Sequence, residues 1–310
     1  MGSIRNGFGT ALEELGQKNR NVVALCADLT DSLKITKFKE KFPNRYFECG
    51  VAEQNMIGLA AGMATTLGKI PFVASYAAFN PGRNWDQLRV SVCYQNANVK
   101  ILGGHAGLTT GPDGATHQAL EDIAITRVLP NLTVIVPCDE EEMRKATIEA
   151  TRHKGPVYLR ASREKSPNIT EKKTRFKIGK GNVLIDGKDI VIFACGITVQ
   201  FALEAAKELE KKKVSCAVIN MHTIKPIDED LILKYAKKTG AFICVEEHQI
   251  AGGLGSVIAE VLIKNNPIPM EFVGIEDSFG ESGEGYELLD KYGISTKKII
   301  KKIEKVLKRK

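Results

Sequence analysis

Residues 46–64, YFECGVAEQNMIGLAAGMA, place a carboxylate, Glu53, at the head of an otherwise apolar segment. At helical period Glu53, Ile57, Ala60 and Ala64 share one face, with Met56, Leu59 and Met63 in an adjoining stripe. A helix apolar nearly all round is expected to be buried. A buried carboxylate must be neutralised, paired or used. Gly58, Ala61 and Gly62 would let a neighbouring backbone come close. The plainer alternative is an acid favoured in a first turn by the helix dipole. Other side chains capable of chemistry follow short apolar runs. Asp28 and Ser32 follow NVVALCAD, Tyr76 and Phe79 follow PFVAS, and Arg160 and Arg163 follow VYL. His105 and Asp113 follow VKILGG in a glycine-rich loop that runs to His117. In open α/β sheets ligands meet the carboxyl ends of parallel strands, so these strand ends point to one shared site.

Several other chemistries are excluded. His105 and His117 lack zinc spacing, and no cysteine or second close histidine joins them. No GxxxxGK[ST] phosphate loop occurs, and AGGLGS, before the helix at 255, lacks the following glycine of a dinucleotide loop and reads as a tight turn.

The elements that must carry these residues alternate. Residues 3–18 read as a helix, NVVALCAD as a strand, the Glu53 segment as a helix and IPFVASYAAF as a strand running into a loop. NWDQLRVSVCYQ reads as a helix with Trp85, Leu88 and Val92 on one face; NVKILGG and LTVIVPCD as strands; DEEEMRKATIEATRH as a helix; GPVYLRAS as a strand. Residues 162–182 are polar and broken by Pro and Gly. Beyond them DIVIFACG, VSCAVINM, AFICVEEH and MEFVGI alternate with three helical patterns. The expected fold is α/β in two domains, each a mostly parallel sheet covered by helices. The expected bounds are 1–165 and 183–310, joined by a linker over 166–182.

The net charge of +7 sits at one end of the chain. The segment 297–310, KKIIKKIEKVLKRK, holds eight basic residues and one acidic residue, which leaves 36 of each in the other 296 residues. Ile299, Ile303, Val306 and Leu307 make one stripe there, so the segment reads as an amphipathic helix with a solvated lysine face. Neither nucleic acid nor a membrane is an expected partner. Seven cysteines form no CxxC pair and read as buried thiols of a reducing compartment. The first ten residues have no apolar leader core, and no run approaches the ~20 apolar residues of a membrane span. The expectation is a soluble, cytoplasmic protein.

The motifs in combination are informative. GVAEQNMIGLAAGMA, YAAF and GHAGLTTGPDGATHQALEDIAITRVLPNLTVIVPCD together resemble the pyrimidine-binding domain of transketolase. HTIKPID, EEH and GGLGS resemble its C-terminal domain. The resemblance implies a thiamin-diphosphate enzyme that moves a two-carbon ketol unit between phosphorylated sugars. Glu53 matches the family glutamate that hydrogen-bonds N1′ of the aminopyrimidine, favouring the imino form that takes the thiazolium C2 proton. In that role its carboxyl would be kept protonated by burial. Tyr76 and Phe79 match aromatics beside the pyrimidine, and Asp28 matches an aspartate near the cofactor. His105 and His117 match two substrate-channel histidines, and Asp113 matches a residue that contacts a substrate hydroxyl. Ser32 and Arg163 match residues that, with His105, hold the sugar phosphate. Arg160 is the one strand-end residue read as structural.

Two relatives share parts of this pattern. Deoxyxylulose-phosphate synthase has Asp-Arg where this chain has His105-Ala106, and beta subunits of 2-oxoacid dehydrogenases lack DG-THQ. They, and a non-catalytic scaffold subunit, are the alternatives. The GDG…N motif that holds Mg²⁺ and the diphosphate in this family is absent from the sequence. The resemblance therefore implies the C-terminal subunit of a split transketolase, active only with an N-terminal partner that carries the motif and the Mg²⁺. An α2β2 assembly is expected.

Overall fold

A computed structural model describes residues 1–310. Its larger sheet has seven strands. From one edge these are Thr223–Lys225, Thr133–Ile135, Val157–Arg160, Lys100–Gly104, Ile70–Tyr76, Val22–Cys26 and Tyr46–Glu48. Every neighbouring pair is parallel except the first, which is antiparallel. The second sheet has five strands, ordered Met270–Ile275, Phe242–Gln249, Ile190–Ala194, Cys216–Asn220 and Asn182–Ile185. Its last strand is the antiparallel one. The apolar runs VVALC, IVIFA and CAVIN are buried along their whole length, as strands covered on both faces must be. Lys100 is the exception to this composition. Its ammonium is buried and donates to Asn98 Oδ1 (2.6 Å) and to the His153 and Gly155 carbonyls (2.9 and 2.6 Å), and burial lowers its pKa to about 7.

The two sheets are joined through their cores and edges. Val23, Ile101 and Val134 of the first pack in one apolar cluster with Phe193, Ile219 and Phe242 of the second. The strand Thr223–Lys225 comes from beyond residue 182 and completes the first sheet. Asn220 donates to both oxygens of buried Glu142 (2.8 and 3.0 Å). The polar segment after residue 162 is docked along its length. Lys165–Ser166 pairs antiparallel with Gly2–Ser3, the Ile169 amide donates to Asp139 Oδ2 at 2.7 Å, and Phe176 stacks on His222 at 4.4 Å. The helix Thr296–Leu307 buries Ile299, Ile303 and Val306. Lys302, Lys305 and Arg309 of this basic tail pair with Glu271.

Two expectations need correction. The helix Glu53–Thr66 is not buried all round. Glu53, Met56, Ile57, Ala60 and Ala61 face the core, while Gln54, Asn55, Gly58 and Leu59 are exposed. No atom stands within 4 Å of where a Cβ would be on Gly58 or Gly62, so in this chain no backbone approaches them. Apolar composition alone does not tell which face of a helix is covered. NWDQLRVSVCYQ begins with a single α-turn, Trp85–Gln87, and continues as a π-helix over Leu88–Tyr94.

Candidate active site

Parallel pairing aligns the carboxyl ends of four central strands on one edge of the seven-stranded sheet. Val22–Cys26 leads to Asp28, Ile70–Tyr76 ends in Tyr76, Lys100–Gly104 leads to His105, and Val157–Arg160 leads to Arg163. Asp28 (φ 58°) and His105 (φ 49°) both adopt the left-handed conformation, which is uncommon outside glycine and collects at functional sites.

Glu53 is 1% exposed. Ser75 Oγ donates to its Oε1 at 2.9 Å, and Arg83 Nη1 donates to Oε2 at 2.5 Å. Arg83 also lies over the Phe79 ring, 4.4 Å from the centroid. Tyr76 stacks on His105 at 3.9 Å between centroids, and on Phe79 at 6.3 Å. His117 meets Phe79 edge-on at 5.1 Å. Tyr76, Phe79, His105 and His117 thus form one aromatic cluster.

Arg5, from the helix Ile4–Lys18, ties three predicted residues together. It donates to the Ser32 carbonyl (2.8 Å), to His105 Nε2 (3.3 Å) and to the Arg163 carbonyl (2.9 Å). Because a guanidinium only donates, Nε2 is the acceptor and the proton of neutral His105 sits on Nδ1. Burial, reinforced by Arg5 and Arg163, pushes the His105 pKa down to about 2, so the ring is neutral. Its Nδ1 is buried without a partner in the chain, a donor left for a ligand. Arg163 donates to the Thr110 carbonyl at 2.5 Å and stands 3.9 Å from Asp113, which is exposed. Asp28 is also exposed at the rim. Its amide donates to Glu48 Oε1 (2.8 Å), which also accepts from the Gly50 amide just before Glu53.

Arg160 is structural. It is buried, donates to Asp122 Oδ2 (2.8 Å) and to the Glu247 carbonyl (2.8 Å), and reaches no other predicted site residue through a hydrogen bond. Sequence reasoning missed Arg5 and Arg83. One signal for Arg5 was available: a cation in the first turn of a helix opposes the dipole and implies some other partner. Arg83 follows YAAF in an irregular loop and offered no such signal.

The aromatic cluster and the orphaned Nδ1 of His105 suit a flat heterocycle with a polar substrate beside it. Glu53, oriented by Ser75 and Arg83, is the carboxylate that a ring nitrogen of such a heterocycle would meet. No group of three or more His, Cys, Asp or Glu side chains is placed to hold a metal ion. A groove of about 760 Å³ lies elsewhere, between Ile250, Leu262, Ile268 and Phe272.

The family described as "Transketolase, pyrimidine binding domain" matches residues 2–168, and "Transketolase, C-terminal domain" matches residues 179–299. A Methanocaldococcus jannaschii protein, provisionally named a transketolase C-terminal section, is 45% identical over 99% of this chain and 96% of its own length. A Clostridium sp. protein named as a 6-deoxy-6-sulfo-D-fructose transketolase subunit is 41% identical over 99% and 95%. A solved structure described as a split gene transketolase, inactive beta4 tetramer, is 45% identical, covers 99% of each chain and superposes with a TM-score of 0.93.

Proposed function

The chain belongs to the transketolase family, and we propose that it is the C-terminal subunit of a split transketolase that is active only with an N-terminal partner. The observation that carries this reading is an incomplete site. The pyrimidine side is assembled around Glu53, Tyr76 and Phe79, while no group of three His, Cys, Asp or Glu side chains on this chain is placed to hold the metal. The partner would supply that end, with Mg²⁺ held by its own carboxylate and amide oxygens. The open face of the helix Glu53–Thr66, with Leu59 44% and Val51 68% exposed beside it, is the surface the partner would cover. Two-fold repetition of such pairs gives α2β2.

Bound thiamin diphosphate supplies the carbanion chemistry at its thiazolium C2. Glu53 would accept or share the proton at N1′ of the pyrimidine, and Ser75 would fix the orientation of its carboxyl group. Tyr76 and Phe79 would flank the heterocycle. His105, neutral and held by Arg5, would donate from Nδ1 to a sugar oxygen, with His117 beside it and Asp113 reading a hydroxyl. Arg5, Arg163 and Ser32 would form the end that receives the sugar's terminal anion. Asp28 would stand near the cofactor at the rim. The seven free thiols, six of them buried, are consistent with a cytoplasmic setting.

The Clostridium relative is named for a sulfonated sugar, so the test spans both anions. The chain, mixed with its N-terminal partner, is assayed for two-carbon transfer on a panel of ketose and aldose phosphates and a sulfo-sugar. Transfer with at least one pair is expected. Arg163→Ala should raise KM for the anionic sugars by about ten- to a hundred-fold relative to uncharged analogues, the usual value of a hydrogen bond to a charge. Equal losses on both would remove Arg163 from the anion site, and no transfer on any pair would contradict the assignment.

A further inference from the structure

Glu247 lies at the end of the strand Phe242–Gln249 in the five-stranded sheet, within the half of the chain for which no catalytic part has been assigned. It is 2% exposed, and its carboxylate points out of its own sheet and into the glycine-rich loop of the other. Oε1 accepts from the Thr109 amide at 2.7 Å, and Oε2 accepts from Ser162 Oγ at 3.3 Å. Arg160 stands 4.0 Å from Oε2 and donates to the Glu247 carbonyl at 2.8 Å. The contact is close enough to dictate sequence. A Cβ on Gly107 would stand 2.2 Å from Glu247 Cδ, and Gly107 has φ +86°.

The two segments held by this one carboxylate are those that carry the sugar-binding residues. Thr109 leads to Thr110, whose hydroxyl donates to the His105 carbonyl and whose own carbonyl accepts from Arg163 at 2.5 Å. Ser162 immediately precedes Arg163. The same side of the loop is braced a second time, where Gln118 Nε2 donates to the Glu281 carbonyl at 2.9 Å.

We propose that Glu247 is a positioning residue for sugar recognition: from the C-terminal half it fixes the loop that sets His105, Asp113 and Arg163. The proposal rests on reading that loop as the sugar site. It gives the second half of the chain a part in specificity, one that needs no contact between that half and the sugar.

The test compares E247A and E247Q in the full chain. Gln keeps an acceptor for the Thr109 amide and loses the charge opposite Arg160. Without any ligand, hydrogen exchange of the Thr109 amide should quicken about ten- to a hundred-fold in E247A and return most of the way in E247Q, as expected for loss of a charged acceptor. Exchange in the helix Ile4–Lys18 should be unaltered. With the partner present, E247A should raise KM for the sugar, while the C2 proton exchange of bound thiamin diphosphate keeps its rate. An unchanged Thr109 amide in E247A overturns the proposal. So does a deprotected loop with unchanged KM, which would make Glu247 a fold contact only. If E247A does not fold, E247D withdraws the acceptor by one methylene at constant charge, and the same two outcomes decide. The exchange measurement needs neither sugar nor cofactor, so an unchanged Thr109 amide overturns the proposal even if the sugar panel finds no substrate.

Discussion

At the scale of single residues, His105 shows most directly how burial shapes this site. It is 3% exposed, stacked under Tyr76 and hydrogen-bonded by a cation, so protonation is opposed from every side. With the folded pKa near 2 against an ordinary 6.5, the unfolded chain binds a proton below about pH 6.5 that the folded chain does not. His105 therefore withdraws stability as pH falls through that window. Replacing it with Asn should lessen the loss in acid, by an amount approaching about 1.4 kcal/mol per pH unit below 6.5. Denaturant midpoints for the two proteins at several pH values would show this, and parallel pH profiles would contradict it. His105 was legible in the sequence because it follows an apolar strand, and so were Glu53, Tyr76 and Arg163. Arg83 and Glu247 were not, and the one signal for Arg5 was a cation in the first turn of a helix. Each acts across a gap of dozens of residues, on a partner that only the folded sheet brings near.

At the scale of elements, the helix Glu53–Thr66 divides its faces between two tasks. One face holds Glu53, Met56 and Ala60 in the core, and the other presents Gly58, Leu59 and Gly62 to open space. A side chain at Gly58 meets nothing in this chain, and glycine costs a helix interior roughly 0.5–1 kcal/mol relative to alanine. Gly58→Gln should therefore raise the melting temperature of the chain slightly while weakening assembly with the N-terminal partner. Thermal unfolding and sedimentation of the mixture would measure both. Undiminished assembly would move the interface elsewhere. The order of strands and helices was readable from apolar runs and their spacing. Which face of this helix is open was not, because core and interface faces have the same composition. The docking of residues 165–176 was equally hidden, since its polar sequence gives no sign of Asp139 and His222 waiting to receive it.

At the scale of the whole molecule, the two halves are one structural body, which on the proposed reading carries half of a cofactor site. A shared apolar cluster, the strand Thr223–Lys225 and the Glu142–Asn220 contact join the sheets. The residues suited to a pyrimidine and a sugar collect along one open edge. On the proposed reading the N-terminal partner supplies the GDG motif that this sequence lacks. Calorimetric titration of the purified chain with thiamin diphosphate and Mg²⁺, repeated after adding the N-terminal partner, tests this directly. The account predicts little heat from the chain alone, and Mg²⁺-dependent binding with two-carbon transfer once the partner is present. Tight Mg²⁺-dependent binding and turnover by the chain alone would contradict it.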